Sequence, residues 1–193
     1  MIIRNFFLVC VCTMGFVQAE TANAQWILDY VQPIPDFPKK GIVFQWYAQL
    51  LRDPVAFHKA IDAFAERYEE MEIDAIAGLD SRGFIFGAAL AYKLQVPFIL
   101  VRKPGKLPGD VERIDYSLEY GTNTFEMERD SVLPGQRILV IDDLLATGGT
   151  AAAACALVEK LGGEVAEVAV LIELGFLNGR EKITPPVFSL IAL

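Results

Sequence analysis

Apolar and polar positions fall in blocks along this chain. Runs rich in Val, Ile, Leu and Ala at 74–78, 96–102, 137–141 and 164–173 have the unbroken apolar character of strands buried on both faces of a parallel sheet. Helical stretches separate them. Asp53 and Pro54 suit an N-cap and first helical position, after which Phe57, Ile61, Phe64, Ala65 and Tyr68 recur on one helical face. Strong helix formers predict further helices over 84–94 and 151–158, the latter ended by Gly162-Gly163. The alternation predicts an α/β fold: a mainly parallel central sheet flanked by helices on both faces, with ligands at the carboxyl ends of the strands.

Other stretches break the rhythm. The prolines of PIPDFP, 33–38, predict a rigid loop, followed by a short extended piece at 41–44. KPGKLPG, 103–109, is a basic loop punctuated by Pro and Gly, and 110–130 alternates as a hairpin around Gly121, a candidate flexible lid. With no internal repeat or linker, residues 26–193 read as a single domain. Residues 1–25 read differently. One Arg precedes an almost wholly apolar stretch at 6–17, and Val17-Gln18-Ala19 or Ala22-Asn23-Ala24 has the small residues of a cleavage site. This is the pattern of a secretory signal peptide, and about a dozen apolar residues are too few for a membrane span. The competing reading is a non-native extension with Met14 as the working start.

The totals narrow the function classes. A length of 193 residues suits one domain with a sizeable core, and 53% hydrophobic with 22% charged residues excludes a disordered chain. A formal net charge of −8 argues against a general nucleic-acid binder, which needs clustered Lys and Arg. Arg102, Lys103 and Lys106 are the local exception, placed to meet a polyanion. The three cysteines, Cys10, Cys12 and Cys155, have neither disulfide-framework nor metal-ligand spacing, and Cys155 reads as a small buried hydrophobe. The single histidine, His58, is expected at the surface of its helix, so His-dependent triads are excluded as the chemistry.

The chemistry concentrates in 137–157, RILVIDDLLATGGTAAAACAL: a strand, the acidic pair Asp142-Asp143, a glycine turn at 146–150, then a helix. Glycines admit a ligand close to the backbone, and free N–H groups at a helix start favour phosphate. Carboxylates beside that phosphate repel it and face hydroxyls or a metal instead. A sugar phosphate satisfies both. Neither a P-loop Gly-Lys-Ser/Thr nor a dinucleotide G-x-G-x-x-G is present. LDSRG, 79–83, repeats the arrangement between a strand and a helix, and Arg82 there suits a second anion.

VIDDLLATGGT resembles the phosphoribosyl-diphosphate (PRPP) motif of the type I phosphoribosyltransferases, and GLDSRGFIFG, RKPGKLPG and YSLEYG resemble strings of its adenine-specific branch, over about 24–193. The resemblance implies transfer of phosphoribosyl from PRPP to adenine, giving AMP and pyrophosphate in purine salvage. It implies that Asp142 and Asp143 hold the ribose hydroxyls and that Ala146, Thr147, Gly148, Gly149 and Thr150 hold the 5′-phosphate. Ser81, Arg82, Lys103 and Lys106 fall to pyrophosphate, with a cis bond expected between Asp80 and Ser81. Glu119 is the implied acid/base, Arg82 and Lys106 act with it catalytically, and Tyr120 closes over PRPP. Val43, Phe44, Gln45 and Leu174 line the adenine site. Mg²⁺ is implied, held through PRPP without direct protein ligands, as are a homodimer and a cytoplasmic setting without nucleic-acid or membrane partners. The family continues Phe-Arg-Asp where this chain has Phe44-Gln45-Trp46. Two alternatives stay open: another purine as base, separated by turnover of adenine, hypoxanthine and guanine, and a PRPP-binding regulator, separated by pyrophosphate release.

Overall fold

A computed structural model describes residues 24–118 and 121–193. The 1–23 stretch with Cys10 and Cys12, and the pair Glu119 and Tyr120, lie outside the described residues. A 3₁₀ turn, Gln25–Tyr30, leads into β1 (Gln32–Pro35) and β2 (Val43–Trp46), a two-stranded antiparallel ribbon. The predicted proline loop is thus partly a strand. Pro33 and Pro35 are two residues apart, so both missing N–H groups fall on one edge of a ribbon that, among the described residues, has no third strand to satisfy.

Two helices follow, α1 (Ala48–Arg52) and α2 (Pro54–Tyr68). Asp53 caps α2 as its sequence position requires, Oδ1 accepting from the N–H groups of Val55 at 2.9 Å and Ala56 at 3.1 Å. The chain continues through β3 (Ala75–Leu79), α3 (Gly83–Leu94) and β4 (Phe98–Val101). The hairpin β5 (Val111–Leu118) and β6 (Gly121–Glu128) precedes β7 (Arg137–Leu145), α4 (Gly149–Lys160), β8 (Glu164–Glu173) and β9 (Val187–Ala192).

Strands β3, β4, β7, β8 and β9 form one parallel sheet in the order β4-β3-β7-β8-β9. Their apolar runs pack on both faces. Phe64, Tyr68, Phe86 and Leu90 of α2 and α3 cover Ile76, Leu139, Ile141 and Leu171 on one side. On the other, Ala154 and Leu157 of α4 and Phe125 and Met127 of β6 cover Ala77, Val140 and Val170. From β3 the chain winds outward to β4, then returns to β7 on the opposite side of β3. The order therefore reverses between β3 and β7, and their carboxyl ends open a crevice where a ligand is expected in this architecture.

His58 is exposed and 3.2 Å from Asp62, and Cys155 is buried, which pushes its thiol up to about 12; both match their expected surroundings. Among the described residues no helix is long and apolar enough to cross a membrane.

Candidate active site

Strand β7 runs four residues further than its apolar core suggested, because β8 supplies a parallel partner as far as Leu145↔Glu173. The acidic pair is therefore in the strand and not after it. Successive strand residues face opposite sides, so the two carboxylates straddle the sheet end. Asp142 is half-buried, and its Oδ1 accepts from the Asp143 N–H at 2.8 Å. Burial first, then the neighbouring Asp143 charge, pushes the Asp142 carboxyl well above the usual carboxylate range. Asp143 is buried, and its Oδ2 receives the Tyr47 hydroxyl at 2.9 Å and Arg82 Nε at 3.0 Å.

The glycine turn is braced from outside its own motif. Gly148 has φ +79°, a backbone region open to glycine at little cost, and a Cβ there would run into the Gly179 carbonyl. A Cβ on Gly179 would in turn strike the Ala146 carbonyl. The two glycines let the 3₁₀ turn Gly179–Lys182 lie close against the glycine turn. Arg180 fixes that turn by bonding Glu173 (2.6 Å from Nη2), Ser189 Oγ (3.2 Å) and the Val187 carbonyl.

On the β3 side the Asp80–Ser81 peptide is cis, as expected, and α3 starts immediately after Arg82. A Cβ on Gly83 would come within 2.6 Å of the Ile141 carbonyl, so the bare glycine presses the second turn against the end of β7. Arg102 reaches Asp80 at 3.2 Å and exchanges both backbone hydrogen bonds with Glu126, tying the basic loop and the hairpin to this turn.

These elements enclose a cavity of about 290 Å³. From the β3 side it is lined by Asp80, Ser81 and Arg82, and from the basic loop by Lys103. The β7 side contributes Asp142, Asp143, Ala146, Thr147, Gly148 and Thr150. Gly149 opens α4 behind them. Lys106 is exposed and outside this lining. Leu174 is buried with its N–H on the Leu145 carbonyl at 2.8 Å, and it too is outside the lining. Val43, Phe44 and Gln45 lie on β2, where Phe44 meets Arg82 with the guanidinium 5.2 Å from its ring centre. Phe44 also shares an apolar cavity of about 250 Å³ with Ile34, Phe37 and Trp46.

Tyr47 and Tyr116 had no sequence signal for a place at the site, and Gly179, though it opens GREK, a string that resembles the family's tail, had none that paired it with Gly148. Tyr47 is 96 residues from Asp143 and Gly179 is 31 beyond Gly148. Tyr116 of β5 lines the cavity, stacks on Phe125 at 5.1 Å and is within bonding reach of Thr150 and Asn123. Only contact across the fold reveals them.

The family profile described as "Phosphoribosyl transferase domain" matches residues 47–188. Among curated proteins, the adenine phosphoribosyltransferase of Chloroflexus aurantiacus is 55% identical over 168 residues, covering 86% of this chain and 97% of its own. The crystal structure of the enzyme of that name from Thermoanaerobacter pseudethanolicus superposes with a TM-score of 0.86 at 48% identity, covering 88% of this chain and 99% of that one. The Saccharomyces cerevisiae enzyme, solved with an imino-altritol bisphosphate and adenine, gives 0.83 at 44% identity over 87% and 98%. With its sheet order, paired turns and these likenesses, the chain belongs to the phosphoribosyltransferase family, in its adenine phosphoribosyltransferase branch.

Proposed function

We propose that the cavity between the ends of β3 and β7 is where PRPP is held and opened. What carries the reading is that one cavity is lined by two phosphate-type turns, an acidic pair and a lysine. The free N–H groups of the 146–150 turn and the hydroxyls of Thr147 and Thr150 receive the 5′-phosphate. Asp142 and Asp143 accept the ribose 2′ and 3′ hydroxyls. The N–H groups at the start of α3, with Ser81, Arg82 and Lys103, receive pyrophosphate.

Adenine lies against Phe44 beside Val43 and Gln45, with Leu174 behind. The C1′–O bond to pyrophosphate breaks, adenine N9 forms the new bond to C1′, and Glu119 takes up the adenine proton while Tyr120 closes the site. Arg82, Lys103 and Lys106 offset the negative charge that develops on the leaving group.

Mg²⁺ belongs to this reading as a passenger of the substrate, supplying further neutralisation of pyrophosphate. The residues fit that role. Asp80, Asp142 and Asp143 line the cavity from both turns, where their carboxylates would meet an ion carried in with the substrate.

A homodimer also belongs to the reading. Lys106 is exposed and outside its own chain's cavity, a position from which it completes a second copy's site. Light scattering at the mass of two chains supports this part, and a single-chain mass removes it. Purine salvage in the cytoplasm, where PRPP and free adenine meet, is the setting proposed, with 26–193 as the catalytic domain behind an extension at 1–25.

The test is pyrophosphate release from PRPP and Mg²⁺ with adenine, hypoxanthine or guanine. Release with adenine alone is expected. Equal release with another purine transfers the assignment to that base, and PRPP binding without release makes the protein a regulator.

A further inference from the structure

We infer that Tyr47 is a positioning residue for PRPP, its hydroxyl fixing the Asp143 carboxylate so that the other oxygen faces the ribose. The inference rests on the ribose role proposed for Asp143. Tyr47 immediately follows the Gln45-Trp46 step at which this chain leaves the family's usual Phe-Arg-Asp. It joins β2, which carries Phe44, to α1. The side chain is 3% exposed, its ring lies 5.8 Å from that of Phe86, and its hydroxyl is 2.9 Å from Asp143 Oδ2.

The same oxygen receives Arg82 Nε at 3.0 Å, but the two partners differ in how firmly they are held. Arg82 is 41% exposed and is also proposed to serve pyrophosphate. When Arg82 turns toward pyrophosphate, a buried carboxylate without a partner is costly, and the tyrosine is the partner that packing holds in place. Burial first, then the Asp143 charge, pushes the Tyr47 phenol far above its ordinary value, so it keeps its proton and donates throughout the working pH range. With Oδ2 pinned, Asp143 cannot rotate away from the hydroxyls it must accept. Two aspects of recognition, the base ribbon and the ribose acid, are thereby tied to one side chain.

The test is Tyr47→Phe, which removes one oxygen and keeps the ring. The KM for PRPP should rise roughly 10-fold or more, the lower end of the scale for one hydrogen bond to a charged group. The kcat and the KM for adenine should stay within about twofold. In an Asp143→Ala background the same change should alter kcat/KM for PRPP by less than about twofold, since coupled residues are not additive. An unchanged PRPP KM in Tyr47→Phe, a parallel rise in both substrate KM values, or the full effect persisting in Asp143→Ala overturns the inference. If Asp143→Ala itself leaves kcat/KM for PRPP at the wild-type value, the ribose assignment of Asp143 fails and the inference falls with it. If Asp143→Ala is impaired and Tyr47→Phe is not, only the tyrosine's role fails.

Discussion

The three carboxylates of the site are met by different neighbours. Asp143 has Tyr47 and Arg82, Asp80 has Arg102, and Asp142 has chiefly the adjacent backbone N–H. Its raised pKa has a definite consequence for stability. At a pH between the ordinary carboxylate value, about 3.9, and the raised folded value, the folded chain keeps a proton that the unfolded chain has released. Stability then falls as pH rises through that window. Denaturant unfolding of the substrate-free protein from pH 4 upward should show this decline, and Asp142→Asn should flatten it. A wild-type slope in that variant would mean another group is responsible. Lys103 and Lys106 separate by location. Lys103→Ala should lower kcat/KM for PRPP by roughly tenfold, the scale of one charge-assisted contact. Lys106→Ala should do so only if it reaches a second copy's site, which mixing it with an Asp142→Asn chain and assaying the mixed dimer would reveal.

At the scale of elements, the site is two strand-turn-helix units held together by bare glycine backbone. Gly83 brings α3 against β7, and Gly148 and Gly179 bring the 179–182 turn against the glycine turn at 146–150. Gly179→Ala should cost about 1–3 kcal/mol of stability through overpacking and raise the KM for PRPP more than that for adenine. Stopped unfolding transitions and two-substrate kinetics would read both, and an unaltered PRPP KM would show that the turn is positioned without Gly179. Arg180 anchors this turn through Glu173. Burial alone would raise the Glu173 carboxyl, but the Arg180 and Ser189 hydrogen bonds outweigh it and its net shift is downward. That contribution to stability is present above the ordinary carboxylate pKa and is lost as pH falls through the lowered one.

The same elements mark how much was legible from the chain. α2 with its Asp53 cap and β8 over Glu164–Glu173 were readable because caps and long apolar runs are local signals. β1 was not, since two prolines argue for a loop unless a ribbon with a free edge receives them. β9 escaped notice because a short C-terminal apolar run has no periodicity of its own and gains its identity by pairing with β8. The motif residues of both turns were readable as strings. Tyr47 and Tyr116 were not, and Gly179 was readable only as part of the GREK string and not as the partner of Gly148, because these roles arise only when distant segments meet.

The whole molecule explains why two ordinary turns become one site. Sheet order reverses between β3 and β7, so the crevice opens where both turns end, and the hairpin and basic loop close around it through Arg102 and Glu126. The acidic chain places two cations, Arg82 and Lys103, in this crevice beside the carboxylates of Asp80, Asp142 and Asp143. The most direct test compares wild-type protein with the Asp142→Asn, Asp143→Asn double variant, measuring pyrophosphate released from PRPP and Mg²⁺ with adenine alongside the denaturant midpoint of each. The account predicts a folded variant whose kcat/KM for PRPP is lower by roughly 100-fold or more, two charge-assisted hydrogen bonds being worth about 3 kcal/mol or more together. Equal rates in wild type and variant would contradict it.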